Sequence, residues 1–206
     1  MKRGFLVTCE GIDGSGKSTA AAGLVEALRA RKLDVRAHSE PTRSWLGEAV
    51  RRGFTEGASP WTEALLFMAD HASHVEQVKR ELSEGALVVS DRWSDSTFAY
   101  QGAALEAPGV DGLALLQQME RPFDITPDLT LLFDLDAREA MRRVGARGAT
   151  EKFERLDLLE HVRRNYLRLA RAEPKRFVVL EASRSREDVL VTAVAAVIGR
   201  MPPKQT

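Results

Sequence analysis

The sequence contains a single cysteine, Cys9, so the chain can form no internal disulfide. Small secreted proteins usually depend on several disulfides, and their absence makes a cytoplasmic protein the default expectation. The N-terminus has an apolar run of only about five residues and no cleavage-like site, so we do not expect a signal peptide. Cys9 falls in a predicted strand, where we interpret it as a small buried core residue.

The sequence also lacks an excess of positive or negative charge, and it lacks long hydrophobic runs. The 30 basic and 30 acidic residues cancel. No basic stripe with interleaved aromatic residues occurs, so no nucleic acid is expected as a partner. No segment approaches the roughly 20 consecutive apolar residues of a membrane-spanning helix, so no membrane association is expected. A small phosphorylated ligand is compatible with these absences, because it requires only a local positive pocket.

What the sequence does contain is a series of short apolar runs that alternate with segments of helical periodicity. Continuous apolar runs suit strands buried on both faces of a sheet. Strands separated by helices imply a parallel sheet with right-handed crossovers, whose ligands sit at the carboxyl ends of the strands. The predicted strands are 4–9, 33–38, 86–90, 129–134 and 176–180. The predicted helices are 17–31, 44–54, 61–84, 94–101, 111–120, 136–145, 154–172 and 185–200.

The stretch EGIDGSGKST, residues 10–19, fits the pattern G-x-x-x-x-G-K-[ST] from Gly11 to Ser18. A predicted strand precedes it and a predicted helix follows it, which is the context of a P-loop. The backbone N–H groups of such a loop and the helix N-terminus bind phosphate, so ATP is the expected ligand. Lys17 is placed for the β- and γ-phosphates, and the Ser18 hydroxyl for Mg²⁺. The residues predicted to bind ATP here are Gly11, Asp13, Gly14, Ser15, Gly16, Lys17, Ser18 and Thr19.

The length of 206 residues fits one domain. We predict an α/β protein with the three-layer P-loop NTPase fold, in which a five-stranded parallel sheet is flanked by helices. The domain is expected to span 1–200 and to carry a short mobile lid at about 143–153. The remaining residues, 201–206, are expected to form a flexible tail.

Asp13 and Arg43 indicate a second substrate beside ATP. A carboxylate aimed at the ATP phosphates would repel them, so Asp13 is expected to accept a hydrogen bond from a hydroxyl group of that substrate. Glu40-Pro41 keeps the chain extended beyond the second predicted strand, which puts Arg43 in a loop at the ligand edge. Guanidinium groups suit phosphate, so Arg43 is a candidate for binding the acceptor phosphate.

Asp91 and Arg92 directly follow the predicted strand 86–90. A hydrophobic strand that ends in Asp is what a P-loop fold uses to hold Mg²⁺, usually through water. The adjacent Arg92 suits an acceptor phosphate, so metal and acceptor are expected to lie side by side.

The predicted helix 61–84 carries an apolar stripe that is mostly core. Phe67 lies on it and could stack on a base, and His71 is interpreted as a surface or cavity residue. His71 and His74 are three residues apart and could meet on one helix face. No third ligand or zinc motif accompanies them in the sequence, so we expect no metal site there.

The chain resembles the thymidylate kinase family from about residue 4 to about residue 198. The marks are the P-loop, Glu40-Pro41-Thr42, Leu65-Leu66-Phe67, Asp91-Arg92 with Ser96 and Ala99-Tyr100-Gln101, Pro127-Asp128-Leu129, and Lys152-Phe153-Glu154. The P-loop alone is shared by many kinases, whereas the block from Asp91 to Gln101 is specific.

This resemblance implies transfer of a phosphoryl group from Mg-ATP to dTMP, giving dTDP and ADP for the synthesis of deoxythymidine triphosphate. It also implies roles for the acceptor-site residues: Asp13 at the sugar 3′-hydroxyl, Arg43 and Arg92 at the phosphate, Phe67 stacked on thymine, Tyr100 under the deoxyribose, and Thr97 and Gln101 facing the base. The family is usually a homodimer formed through helices beside the sheet, so a homodimer is expected.

Catalytic arginines are expected in the lid, because Gly14 and Ser15 stand where other family members carry a basic P-loop residue. The segment from Arg142 to Lys152 is basic and contains Gly145 and Gly148, which is typical of a hinged lid. The residues predicted to act in catalysis are Lys17, Arg92, Arg143 and Arg147. Arg184 follows the last predicted strand, where the adenine loop of the family lies.

Two positions depart from the family pattern. Trp93 replaces a smaller or tyrosine-like residue. His71 stands where the family commonly has an arginine that helps to read thymine, and histidine is shorter and titrates near neutrality. The His71 departure leaves open a P-loop kinase for another acceptor, such as dUMP or a deoxynucleoside. A non-catalytic nucleotide-dependent switch is a further alternative, although a switch would require neither the paired acceptor arginines nor the lid.

Overall fold

The computed structural model describes residues 4–145 and 156–202. Its strands are β1 (Phe5–Glu10), β2 (Val35–Ser39), β3 (Leu87–Asp91), β4 (Leu129–Asp134) and β5 (Phe177–Glu181). Its helices are α1 (Lys17–Arg29), α2 (Trp45–Glu56), α3 (Pro60–Ser83), α4 (Ser94–Ala104), α5 (Gly112–Glu120), α6 (Ala137–Gly145), α7 (Leu156–Ala172) and α8 (Arg186–Arg200).

The strands form one parallel sheet in the order β2-β3-β1-β4-β5. The central strand β1 pairs with β3, which sets Leu6 beside Val88, and with β4, which sets Val7 beside Leu129. The run from Leu6 to Glu10 is buried throughout, as expected for a strand covered on both faces. The predicted α/β fold with a five-stranded parallel sheet flanked by helices is confirmed.

Successive residues of β1 pack into different apolar clusters, because side chains alternate between the faces of a strand. Leu6 shares one buried cluster with Val75 of α3. Val7 belongs to another cluster, which also contains Leu24 of α1. The sheet is therefore covered by α3 on one face and by α1 on the other.

Helix α4 is longer than the sequence predicted. The predicted helix stops at residue 101, before Gly102, but the structure continues it to Ala104. Gly102 serves packing here: a Cβ at this position would lie 2.9 Å from the Cα of Leu113 in α5. The glycine thus permits close contact between two helices instead of ending one of them.

The carboxyl ends of the strands bring the predicted site residues to one edge of the sheet. The P-loop follows Glu10 of β1, Glu40 follows β2, and Asp91 is the last residue of β3. Crevices at this edge are where parallel sheets bind ligands. Among the described helices, none combines the length and the apolar character that a bilayer crossing requires.

Candidate active site

The P-loop has the backbone conformation that its glycines predict. Gly14 and Gly16 have φ angles of 89° and 87°, values that L side chains rarely adopt. A Cβ on Gly14 would also lie 2.5 Å from the carbonyl oxygen of Ala140. The hydroxyl of Ser15 is buried and has no hydrogen-bond partner among the residues that the structure describes. The loop thus presents polar groups that a phosphate can satisfy.

Asp13 joins Lys17 and Arg92 in one cluster at the P-loop. The Nζ atom of Lys17 donates a hydrogen bond to Oδ1 of Asp13 at 3.1 Å, and Nη2 of Arg92 donates to the same oxygen. Although burial acts to raise it, the charges of Arg92 and Lys17 lower the pKa of Asp13 to about 2. Burial lowers the pKa of Lys17, as does Arg92, while Asp13 and Asp91 oppose these effects. A single carboxylate therefore orients both cations predicted to handle phosphate.

Arg92 is held by its backbone as well as by its side chain. Its φ angle of 75° is unusual for a residue with a side chain, and its N–H donates to the carbonyl oxygen of Cys9 at 3.0 Å. Its Nη1 donates to Oγ of Ser96 at 3.1 Å, and its guanidinium lies 5.0 Å from the ring centroid of Tyr100. Strained backbone that the surroundings enforce is common at functional sites.

Ser18 and Asp91 fit the chemistry of a magnesium site. Both line one groove beside α1. The Oδ1 atom of Asp91 is buried without a hydrogen-bond partner in the described part of the chain. A hydroxyl and a carboxylate are oxygen ligands of the kind that Mg²⁺ prefers.

A small apolar cavity adjoins this cluster. It is lined by Asp13, Pro41, Phe54, Phe67, Arg92, Ser96, Tyr100 and Gln101. The rings of Phe54 and Phe67 lie 5.7 Å apart, and the Tyr100 hydroxyl accepts a hydrogen bond from the N–H of Asp13 at 2.8 Å. The Nε2 atom of Gln101 is buried and has no hydrogen-bond partner within residues 4–145 and 156–202. The cavity thus combines aromatic walls, a cation and a buried amide donor.

A second cavity, of about 570 Å³, lies on the other side of the P-loop. Gly14, Gly16 and Thr19 line it together with Arg143 and Arg184. Arg143 donates hydrogen bonds to Glu139 at 3.1 Å and to the carbonyl oxygen of Ala182 at 3.2 Å. Arg184 donates to Glu181 at 2.7 Å. Arg147 and most of the predicted lid lie outside the described residues.

Three residues predicted for the acceptor do not line the small cavity. Arg43 is exposed and borders a separate groove with His38 and Ser44. Thr97 is 2% exposed within α4, and His71 is 1% exposed. The structure does not place these side chains with Asp13 and Phe67, and their roles at the acceptor stay predictions.

His71 belongs to a buried polar cluster instead of the surface or cavity expected for it. Its Nδ1–H donates to Oε1 of Glu40 at 2.8 Å, and its Nε2 lies 3.0 Å from Oδ1 of Asp124. The edge of the ring contacts Trp93, with centroids 4.6 Å apart. Although burial acts to lower it, the surrounding carboxylates raise the pKa of His71 well above its usual value. The sequence could not show this, because the partners lie on three separate segments.

Sequence reasoning missed residues that position Arg92. Glu10 is fully buried and accepts hydrogen bonds from the Trp93 N–H at 2.7 Å, the Ser96 hydroxyl at 2.6 Å and the Tyr166 hydroxyl at 3.0 Å. These bonds fix the start of α4, which carries Ser96 toward Arg92. An acidic residue at the end of an apolar strand was a usable signal for Glu10, whereas nothing local indicated Tyr166.

A P-loop with a buried lysine, followed by a strand that ends in an acid, is the arrangement of P-loop kinases. The small cavity beside it has room for part of a second substrate. The family model for thymidylate kinase matches residues 9–192. The chain belongs to the thymidylate kinase family, and it is thus a nucleoside-monophosphate kinase.

Three relatives illustrate the similarity, and each is described as a probable thymidylate kinase. The protein from Methanococcoides burtonii is 42% identical over 95% of this chain and 98% of its own length. The protein from Methanoculleus marisnigri is 48% identical over 90% of both chains. The protein from Natronomonas pharaonis is 47% identical over 94% of this chain and 97% of its own length.

Proposed function

We propose that this enzyme transfers the γ-phosphoryl group of ATP to the 5′-phosphate of dTMP, giving dTDP and ADP. The observation that carries this proposal is the shared position of Lys17 and Arg92 on Asp13, between the P-loop and the small cavity. In this proposal Lys17 would bind the donor phosphates, and Arg92 would bind the acceptor phosphate. Neither the other-acceptor kinase nor the non-catalytic switch is favoured by the family assignment.

The reaction needs no general base. The acceptor phosphate has a second pKa near ~6 and is largely ionised at neutral pH. One of its oxygens attacks the γ-phosphorus, and the bond from that phosphorus to the β–γ bridging oxygen breaks, so no proton has to move. Catalysis therefore consists of aligning two anions and stabilising the spreading negative charge. Lys17, the P-loop N–H groups and Arg92 supply positive groups at the sites where that charge develops.

Mg²⁺ belongs to the proposal as the ion that accompanies ATP. Ser18 and Asp91 would hold it, Asp91 either directly or through water. When bound, the ion neutralises charge on the donor phosphates. Asp91 then gains a partner for its buried Oδ1 atom.

The larger cavity is the proposed place for the adenosine part of ATP, with Arg184 beside the base. Arg143 lines the same cavity and could reach the transferred group if its bonds to Glu139 and Ala182 are exchanged. We propose that Arg143 or Arg147 acts as an arginine finger supplied in cis, on a lid that closes over ATP. A closed lid would exclude water and limit ATP hydrolysis.

The small cavity is the proposed thymidine site. Phe67 would stack on thymine, the free Nε2–H of Gln101 would donate to a base oxygen, and Tyr100 would pack under the deoxyribose. A ring packed against the sugar disfavours a 2′-hydroxyl. Asp13 would meet the sugar 3′-hydroxyl.

We also propose that the protein forms a homodimer and that it acts in the cytoplasm. Trp61 and Leu65 lie one turn apart on α3 and are 47% and 52% exposed, which provides an apolar surface for a second copy. The cytoplasm is where a chain with one buried cysteine is expected and where ATP is available.

The deciding experiment measures ADP formation from Mg-ATP with a panel of acceptors: dTMP, dUMP, dCMP, AMP and thymidine. We expect strong preference for dTMP. Comparable rates with dTMP and dUMP, or a preference for another acceptor, would reassign the substrate. Slow ATP hydrolysis that no acceptor stimulates would favour the nucleotide-dependent switch.

A further inference from the structure

The polar cluster around His71 includes residues that have no part in the proposed reaction. Glu120, the last residue of α5, and Asp124, in the connection between α5 and β4, both approach His71 from the side opposite Glu40. The Nε2 atom of His71 lies 3.0 Å from Oδ1 of Asp124 and 4.0 Å from Oε2 of Glu120. One donor atom from each of the three side chains lies within 4.8 Å of the other two.

Glu120 is the unusual member of this cluster. Its side chain is fully buried, yet neither carboxylate oxygen has a hydrogen-bond partner in the described part of the protein. Buried carboxylates without partners are rare because their desolvation is costly. Asp124, in contrast, accepts a hydrogen bond from the N–H of Ile125 at 2.6 Å. Both oxygens of Glu120 are thus available to a cation in the space that it shares with His71 and Asp124.

The hydrogen bond from His71 to Glu40 decides which ring nitrogen can bind an ion. Glu40 accepts the Nδ1–H bond, so a metal ion that displaces the Nε2 proton meets a nitrogen lone pair that faces Asp124 and Glu120. Without an ion, the Nε2 proton of His71 faces Asp124, and burial raises the pKa of Glu120 to about 8. A proton on Nε2 can reach Asp124 but not Glu120, because a hydrogen bond does not form across 4.0 Å.

We propose that His71, Glu120 and Asp124 form a binding site for a divalent transition-metal ion of the zinc class. Imidazole together with carboxylates selects such ions over Mg²⁺, which distinguishes this site from Ser18 and Asp91. A tetrahedral zinc ion at its usual bond lengths separates its ligand atoms by roughly 3.4 Å, so side-chain adjustments of about 1 Å suffice.

Two further features meet the requirements of a metal site. The bond from His71 to Glu40 is a carboxylate–histidine pair of the kind that orients metal-binding imidazoles. The side chain of Asp124 is 15% exposed, so the site has a path from solvent. The three protein ligands leave a fourth position for water. A bound ion would join α3, which carries Phe67, to the connection that follows α5.

The test is a titration of the nucleotide-free full-length protein with Zn²⁺, followed by competition with a chromophoric chelator. The variants are Glu120→Gln and Asp124→Asn, which keep side-chain volume. Each removes one carboxylate ligand, and Glu120→Gln puts a neutral amide of the same size in place of a carboxyl whose pKa burial raises to about 8, so folding is expected to survive. His161→Gln is the matched control, because His161 is the chain's histidine on α7, away from the cluster of His38, His71 and His74.

We expect one Zn²⁺ per chain, with affinity at least about 100-fold weaker in both carboxylate variants and unchanged in His161→Gln. The d–d absorption of Co²⁺ should appear in the wild-type chain and disappear in Glu120→Gln. Absence of tight binding to the wild-type chain would overturn the proposal and leave a protonated Glu120 as the alternative. Equal binding by the carboxylate variants, or loss of binding in His161→Gln alone, would place the ion elsewhere and also overturn it.

Discussion

At the scale of single residues, Asp13 organises the charged cluster at the P-loop. Its carboxylate accepts hydrogen bonds from both Lys17 and Arg92, and its backbone N–H donates to the hydroxyl of Tyr100. Two cations of the same charge would otherwise repel each other at the P-loop. Asp13 thus holds them close together before phosphate binds.

The substitution Asp13→Asn tests this role, because it removes the charge and keeps an acceptor oxygen. Hydrogen bonds to a charged group are worth about 1.5–3 kcal/mol, so kcat/KM for the acceptor should fall about 10- to 100-fold. Steady-state kinetics with each substrate varied in turn measures this. Asp34→Asn, on an exposed ion pair with Arg36, should leave the kinetics unchanged. Equal rates for wild-type and Asp13→Asn protein would contradict the role.

The same carboxylate predicts a pH dependence of stability. Burial opposes ionisation, but Arg92 and Lys17 lower the pKa of Asp13 from 3.8 to about 2. The folded state therefore stabilises the ionised carboxylate by about 2 kcal/mol above pH 4, and this contribution is lost as the pH falls from about 4 to about 2. Urea unfolding of wild-type and Asp13→Asn protein across this range should show a difference in unfolding free energy that shrinks toward pH 2. A constant difference would be inconsistent with the lowered pKa.

Lys17 should be essential for turnover and dispensable for folding. Lys17→Ala removes a positive group from the place where charge develops, so kcat should fall at least about 100-fold. The unfolding midpoint and circular dichroism should remain those of a folded protein. Lys79→Ala, on the exposed face of α3, is the control and should retain full activity. A folded Lys17→Ala protein with normal activity would remove the basis of the proposed mechanism.

At the scale of elements, the close contact between α4 and α5 depends on glycine. A Cβ at Gly102 would lie 2.9 Å from the Cα of Leu113, and backbone atoms cannot easily move away. Gly102→Ala should therefore lower the unfolding free energy by about 1–3 kcal/mol. Gly199→Ala is the matched control in α8, where an added Cβ meets nothing within 4 Å, and it should raise stability by about 0.5–1 kcal/mol. Similar effects of both substitutions in chemical denaturation would rule out the packing explanation.

At the scale of the whole molecule, the proposed dimer makes a separate prediction. Leu65→Glu puts a charge into the proposed apolar interface, and an unpaired buried charge costs several kcal/mol. Dimer dissociation, measured by sedimentation equilibrium, should increase about tenfold or more. Val191→Glu changes a valine on α8 that is 69% exposed and should leave assembly unchanged. A monomeric wild-type chain, or equal effects of both variants, would argue against this interface.

Most of the fold was predictable because its signals are local. The three inner strands β1, β3 and β4 are short, mostly apolar runs, and helical patterns separate each of them from the next strand along the chain. The P-loop was predictable for a similar reason, since its glycines and Lys17 all lie between residues 11 and 17. Gly102 shows the limit of such signals, because a glycine can either end a helix or permit close packing within it. Only the position of Leu113 shows that Gly102 has the second role.

The sequence by itself determined the parallel α/β fold, the P-loop and the adjacent positions of Asp91 and Arg92 at the end of β3, because these depend on neighbours along the chain. Only the tertiary structure decided which distant side chains meet. It joined Asp13 to Arg92, and it left Arg43 outside the small cavity. It also placed His71 among three acidic residues from separate segments. Glu40 follows β2, Asp124 lies in the loop after α5, and Glu120 is the last residue of α5. Contacts of this kind depend on how helices pack across the sheet, and no local pattern of residues encodes that geometry.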